Sequence, residues 1–406
     1  MNPFLSDLND FTFTRLARLL EGAACPATMR PINLSIGEPK HPTPALICDA
    51  LANATAGLAH YPPTKGPDAL RAAIARWLER RFHLPTIDEH SQVLPALGSK
   101  EALYAFTQLA IDPTRPHPTV VVPNPFYMVY EGATLLCGAK PWFVNLQESG
   151  GYAWDDVPES VWQATQMLLV CSPDNPTGQV LPRDTWRRLF ELSDQFGFVI
   201  VADECYSEIY FDETLPPHGA LQVAHELGRS DFRNLVSMGS LSKRSNAPGL
   251  RSGYVAGDAR WLTAFLKLRT FNGSAMSATV AKASIAAWSD EAHVVENRRA
   301  YARKFEQLTP RLASAGLAVT MPQAAFYWWA TIPAAWAGDD EGFTRDLYSA
   351  TGVIVVPGSY LSRTAHNGTN PGRGRVRIAL VSEFDECAEA VERICRFVGT
   401  ATPSSP

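Results

Sequence analysis

Apolar and polar positions along the chain switch repeatedly between a strand period and a helix period. Near-continuous apolar runs lie at 119–123, 166–171 and 198–202, the first two followed by turns with Asn and Pro and the third by Asp203. Runs of that kind predict strands buried on both faces, as in a parallel sheet. Helical patterns fill 45–57, 67–81 (opened by Pro67), 261–287 with a break at Phe271-Asn-Gly-Ser, and about 290–315. Residues 1–30 read as a short amphipathic helix through Leu5, Leu8, Phe11, Phe13, Leu16 and Leu19. Ile32, Leu34 and Ile36 alternate as a strand, after which Pro39, Pro42 and Pro44 force an irregular loop. Further strands are predicted after a turn at Met321, at Val353–Val356, and over Gly374–Leu380.

Composition narrows the function. The chain has 406 residues, 46% of them hydrophobic and 19% charged, which is ordinary for a globular enzyme. A net charge of −5 with no basic stripe argues against nucleic acid as the main partner. No apolar stretch approaches the roughly 20 residues that span a bilayer, and no cationic start followed by an apolar core marks a signal peptide. Cys25, Cys48, Cys137, Cys171, Cys205, Cys387 and Cys395 are scattered and never in a Cys-x-x-Cys pair, so neither a disulfide framework nor a metal site is expected. Cys171 and Cys205 read as small core residues, and the expected compartment is the cytoplasm.

Candidate chemistry gathers where strands end. Ser237–Tyr254 follows a β-branched run and holds Ser240, Lys243 and Arg251 among tight glycine turns. A lysine beside a second cation, Arg244, is expected to lose its proton more readily and act as a nucleophile. Ser240 and Arg251 offer a hydroxyl donor and a planar cationic fork, the groups that suit a phosphate. Together they suggest pyridoxal phosphate held covalently by Lys243. Asn175 follows the 166–171 run in Ser-Pro-Asp-Asn-Pro-Thr-Gly, and Asp203 ends the 198–202 run with Tyr206 after it. Gly98-Ser99-Lys100 is a small-residue turn into a helix, whose free N–H groups suit an anion. Each also has an ordinary reading when taken alone: a solvent-facing Ser/Lys loop, an Asn-Pro turn, a capping Asp, a helix cap. Ligands of open parallel sheets bind outside the strands' carboxyl ends, which favours the functional reading of the set.

Over essentially its whole length the chain resembles the class I/II aminotransferases of the aspartate aminotransferase superfold. The resemblance implies a large domain at 48–290 with a mostly parallel sheet, and a smaller α+β domain combining 1–47 with 291–400. Residues 401–406 would be a disordered tail. It further implies that Lys243, Asp203 and Tyr206 are catalytic, with Asp203 facing the pyridine nitrogen and Tyr206 sharing the phenolic oxygen with Asn175. Tyr127 would stack on the pyridine face, and Tyr130 is read as a core tyrosine. Gly98, Ser99, Lys100, Ser240 and Arg251 would hold the phosphate, joined by Tyr61 of the other subunit of a homodimer. Gly37, Asn175 and Arg377 would bind the substrate, Arg377 gripping its carboxylate, although arginines on the alternating strand with Arg375 are by default solvent-facing. A cis Asn175–Pro176 bond is implied as well. Ala324 and Ala325 stand where many members have Gly, which opens a tighter pocket wall or a different loop path.

The implied reaction is transamination with glutamate as donor and N-succinyl-2-amino-6-oxopimelate as acceptor, in the route to diaminopimelate and lysine. Aspartate, alanine or other amino-acid aminotransferases, or a carbon–sulfur lyase of the same fold, would share every residue above. A ligand-sensing regulator would need a basic helix-turn-helix module, which the 30 residues before Pro31 do not carry. Lys40 or Arg244 is the expected reader of a distal succinyl carboxylate.

Overall fold

The computed structural model describes residues 1–400. Its strands are β1 (Ile32–Asn33), β2 (Val93–Ala96), β3 (Thr119–Asn124), β4 (Lys140–Asn145), β5 (Thr165–Cys171) and β6 (Val199–Asp203). They continue with β7 (Leu235–Ser240), β8 (Gly253–Gly257), β9 (Tyr327–Thr331), β10 (Val353–Ile354), β11 (Val356–Pro357) and β12 (Arg375–Ala379). The chain is of the α/β class, as its alternation of patterns predicts.

A seven-stranded sheet runs in the order β2-β8-β7-β6-β5-β3-β4. Strands β4, β3, β5, β6 and β7 are mutually parallel, while β8 is antiparallel to both β7 and β2. The reversal at β8 places the site. Gly253, the first residue of β8, pairs with Ser240 at the end of β7 and with Ala96 at the end of β2. The segments after β2 and β7, and the one before β8, therefore meet at one sheet edge.

Alternation along the central strands divides their side chains between two cores. Leu168, Val170, Ile200 and Ala202 join Trp77, Trp186 and Trp288 on one face. Met167, Leu169, Val199 and Val201 join Phe106 and Phe265 on the other. Both faces are covered, so every residue of β5 and β6 is buried, which is why they read as unbroken apolar runs. A further core surrounds the antiparallel sheet β11-β12-β9 and includes Tyr301, Phe305, Leu347 and Ile394 from three helices. Strand β1 pairs in parallel with β10, tying the early chain to that core.

Residues 1–30 are not one helix. A 3₁₀ turn at Pro3–Asp7 lies against the helix Val129–Leu136, and a separate helix, Thr12–Leu19, packs Leu16 and Leu19 on Val356, Tyr360 and Leu361. The two pieces pack against different parts of the molecule, and one straight helix could not reach both. The strand expected over 32–36 stops at Asn33. Leu34 then donates its N–H to Ile354 O and accepts from Ala379 N–H at 2.8 Å, so the chain leaves one partner for another. Thr400 closes the helix Phe384–Thr400, and the tail at 401–406 lies outside the described residues.

Candidate active site

A cavity of ≈ 480 Å³ opens at the carboxyl edge of the large sheet. Around that edge it takes Asp203 and Ser240 from the strand ends, and Ser99, Lys100, Tyr127, Asn175, Tyr206, Lys243 and Arg251 from the segments beside them. Gly37, Tyr327 and Arg377 close it from the opposite side. Gly98 stands just behind this lining as the residue before the helix Ser99–Ala110. Its φ of 83° is a left-handed conformation that favours glycine, and a Cβ there would displace the Arg251 guanidinium.

Lys243 sits on a single helical turn, Leu241–Arg244, whose start is capped by Ser240: its Oγ accepts from Ser242 N–H at 3.0 Å. The Lys243 amine donates to Gly37 O at 2.9 Å. Burial holds its pKa below the ordinary lysine value, opposed mainly by Cys205 and Glu38 and assisted by the Arg251 charge. The second cation is therefore Arg251 and not Arg244. Successive residues on a helical turn point about 100° apart, so Lys243 and Arg244 diverge. Arg244 is buried between the Trp77 and Trp288 rings and donates to Ala287 O at 2.8 Å and Asp290 O at 3.1 Å. It cannot read a substrate carboxylate. Lys40 is also outside the cavity lining, its amine 3.2 Å from Ser382 Oγ.

Asp203 is the one carboxylate in the cavity lining among the described residues. It accepts from Tyr130 Oη at 2.8 Å and from Cys205 N–H at 3.2 Å. Burial nonetheless raises its pKa above the ordinary carboxylate value, since these donors and Lys243 only partly offset the lost hydration. Tyr130 is thus more than a core tyrosine, and nothing in its local sequence distinguishes it. Tyr206 Oη lies 2.9 Å from Tyr327 Oη, and the Tyr327 ring in turn lies 4.5 Å from the Arg377 guanidinium. Tyr127 lines the cavity with its ring edge-on to Tyr130.

Arg377 is 4% exposed, against the solvent-facing default for an alternating strand. It donates to Asn175 Oδ1 at 2.9 Å and Ser35 O at 2.7 Å, while its buried Nε has no partner among the described residues. Arg375, two positions earlier, is half-buried and does not line the cavity. Cys205 packs against a core, as expected, and also lines the cavity, where it donates Sγ–H to Ser99 Oγ at 2.8 Å. Ala325 adopts φ 64°, the left-handed backbone that glycine takes without cost, held by its N–H on Ile209 O. Neither Ala324 nor Ala325 lines the cavity, so the loop path and not a tighter wall accommodates them. The Asn175–Pro176 bond is cis, together with Asn124–Pro125 and Ser172–Pro173. Tyr61 is 99% exposed and does not line this chain's own cavity.

The donor set fits pyridoxal phosphate. A depressed amine, a buried carboxylate and a polar edge of Ser99, Lys100, Ser240 and Arg251 occupy one space, and Arg377 brings to it a buried N–H without a partner among the described residues. A sequence profile of the family Aminotransferase class I and II matches residues 30–394. An LL-diaminopimelate aminotransferase of Nitratidesulfovibrio vulgaris (strain Miyazaki F) is 33% identical over 89% of this chain and 90% of its own. The crystal structure of an aminotransferase from Neisseria meningitidis matches with a TM-score of 0.94 and 48% identity, covering 98% of this chain and all of that one. A probable N-succinyldiaminopimelate aminotransferase from Thermus thermophilus matches with a TM-score of 0.80 and 26% identity, over 95% of this chain and 99% of that one. The chain belongs to the class I/II aminotransferases and has their aspartate aminotransferase-like fold. It is an aminotransferase whose cofactor is pyridoxal phosphate.

Proposed function

We propose that this aminotransferase serves the diaminopimelate route to lysine, moving an amino group between glutamate and N-succinyl-2-amino-6-oxopimelate. The observation that carries the reaction is the Lys243 amine, kept below its ordinary pKa by burial and held on Gly37 O inside the cavity that Asp203 and Arg377 share. The bound cofactor supplies a covalent handle for an amino group and a sink for the electrons released when the substrate Cα–H bond breaks. Lys243 Nζ takes the Cα proton as general base and returns a proton as general acid. Asp203, costly as a lone buried anion, would pair with the cofactor's cationic ring nitrogen, and Tyr130 holds its Oδ2. Tyr206 and Asn175 would serve the cofactor's phenolic oxygen, Tyr127 its ring face, and Gly98, Ser99, Lys100, Ser240 and Arg251 its phosphate. Arg377 grips the substrate α-carboxylate as a planar fork, with Gly37 alongside. The exposure of Tyr61 supports its reaching the phosphate of a second subunit, in a cytoplasmic homodimer.

The succinylated substrate is supported by the likeness to the Thermus protein. The cavity lining agrees: Phe11, Phe13, Ile36 and Leu361 are apolar, and among the described residues no carboxylate other than Asp203 waits there for a free distal ammonium. A second reading, free LL-diaminopimelate, follows the Nitratidesulfovibrio relative and has one local support. Glu38 lies near enough to Lys243 to raise its proton affinity, and it could receive an ammonium at the rim. The test is the visible absorption of the holoenzyme. Glutamate should bleach the band, and N-succinyl-2-amino-6-oxopimelate should restore it. As amino donor, N-succinyl-LL-diaminopimelate should bleach at least about tenfold faster than the free diamine. The reverse preference, abolished by Glu38→Gln, would install the second reading. Absence of any band would sink the assignment of Lys243.

A further inference from the structure

The turn that carries Lys243 is too short to hold itself. A helix leaves its last four carbonyls without intrahelical partners, and Leu241–Arg244 is four residues long. The carbonyls of Lys243 and Arg244 are met from elsewhere in the chain: Asn297 Nδ2, on the helix Ala292–Ser314, donates to Lys243 O at 3.1 Å and Arg244 O at 3.4 Å.

An amide can point either way, and here the neighbours decide which. Asn297 Oδ1 accepts from Asn246 Nδ2 at 2.9 Å and faces His41 Nδ1 at 3.3 Å. The other ring nitrogen, His41 Nε2, lies 2.7 Å from Lys304 Nζ. Lysine donates there, so Nε2 must offer its lone pair and the imidazole proton must sit on Nδ1, aimed at Asn297 Oδ1. The chain of donors fixes the amide with Nδ2 toward Lys243. Lys304 also donates to Leu380 O at 3.1 Å, just beyond the strand β12 that bears Arg377.

We propose that Asn297, locked in orientation by His41 and Lys304, is a positioning residue for Lys243 and ties the reacting amine to the strand of Arg377. The inference rests on Lys243 being the reacting amine. Lys304 has no ion-pair partner to offset its burial: it is 1% exposed and no carboxylate lies within ion-pair distance among the described residues. Such a buried cation is costly. The groups facing it are His41 from the loop before residue 45, Tyr301 on its own helix, and Cys387 and Glu383 at the last helix. Burial pushes its pKa down to about 8 and lowers that of His41, which keeps the imidazole neutral as the relay requires.

Lys304→Met keeps the volume and removes the donor. In the holoenzyme it should retain the visible band, with its pH midpoint displaced, and lower kcat with glutamate by roughly tenfold while KM stays within about twofold. Because the two residues act in series, Lys304→Met/Asn297→Leu should be no slower than Asn297→Leu alone. Should Lys304→Met fail to fold, His41→Leu, at a half-buried position, carries the same expectations. A wild-type kcat and band midpoint in either variant, with only the melting temperature reduced, would make the relay a packing feature and overturn the proposal. Multiplicative losses in the double variant would do the same. A wild-type holoenzyme without a band would overturn this inference and the reading of Lys243 together, whereas an intact wild-type band with unaffected variants would overturn this inference alone.

Discussion

The edge of the large sheet and the wall facing it perform one task by different constructions. At the edge, Asp203 and Ser240 are the last residues of β6 and β7, and Asn175 follows β5 in a turn. Their backbones are extensions of strands buried on both faces, so a single paired register sets all three. On the wall, Gly37, Tyr327 and Arg377 come from a loop and two strands of a separate core, brought together through β1, β9 and β12. In the function proposed above, the edge would hold the groups that act on the reacting atoms and the wall the group that orients them. Lys243 bridges the two, rooted in the edge by Ser240 and held on the wall by Gly37 O.

Replacing the bridge should cost most. Lys243→Ala is expected to lower kcat by about 10⁴-fold or more and to abolish covalent cofactor attachment, read from steady-state rates and the absorption spectrum. Retention of rates within tenfold of wild type would dissolve the distinction between edge and wall.

Beneath the edge, Glu204 is buried and accepts from Ser237 Oγ and Ala220 N–H. Burial lifts its pKa from the ordinary 4.5 to about 7. The folded state therefore binds more protons than the unfolded one in that window, so this group's contribution to stability is full below about pH 4.5 and is lost as pH rises through about 7. The loss amounts to about 3 kcal/mol. Glu204→Gln should remove that slope relative to wild type in urea unfolding measured from pH 5 to 8. Parallel slopes in the two proteins would show that the edge stores no such titration.

On the wall, Arg377→Lys keeps the charge but loses the fork and the contact with Asn175 Oδ1. A fall of about 10²-fold in kcat/KM for glutamate is expected, with most of it in KM. If kcat alone fell, the wall would share in the chemistry. The smallest effect is expected at Tyr130→Phe, which removes one donor from Asp203 while leaving the ring packed. Loss of one hydrogen bond to a charged group should slow kcat about tenfold without changing KM. An unchanged kcat would return Tyr130 to the core role that its sequence suggests.

The edge is legible in the sequence because its signals are local: an apolar run long enough to be a buried strand, then a turn residue that can carry chemistry. The wall is legible at Arg377 only through resemblance, since on an alternating strand Arg375 and Arg377 are equivalent by pattern. Arg244 misleads for a related reason. Adjacency in sequence suggests a shared field with Lys243, but one residue of helical rotation sends its side chain between two tryptophans. Tyr130, Cys205 and Tyr327 carry no signal, because an aromatic or thiol in an apolar context looks alike whether or not it ends on a functional group.

By itself, the sequence determined the α/β class, the strands whose ends bear Asn175, Asp203 and Ser240, and the lysine that follows them. Periodicity and turn chemistry act over a few residues, and those features need nothing more. Only the tertiary structure decided which arginine enters the cavity, which cation lowers Lys243, which tyrosine holds Asp203, and which distant asparagine caps the lysine turn. Those outcomes depend on the reversal at β8 and on two cores meeting at one edge, and contacts between residues far apart in the chain leave no periodic trace along it.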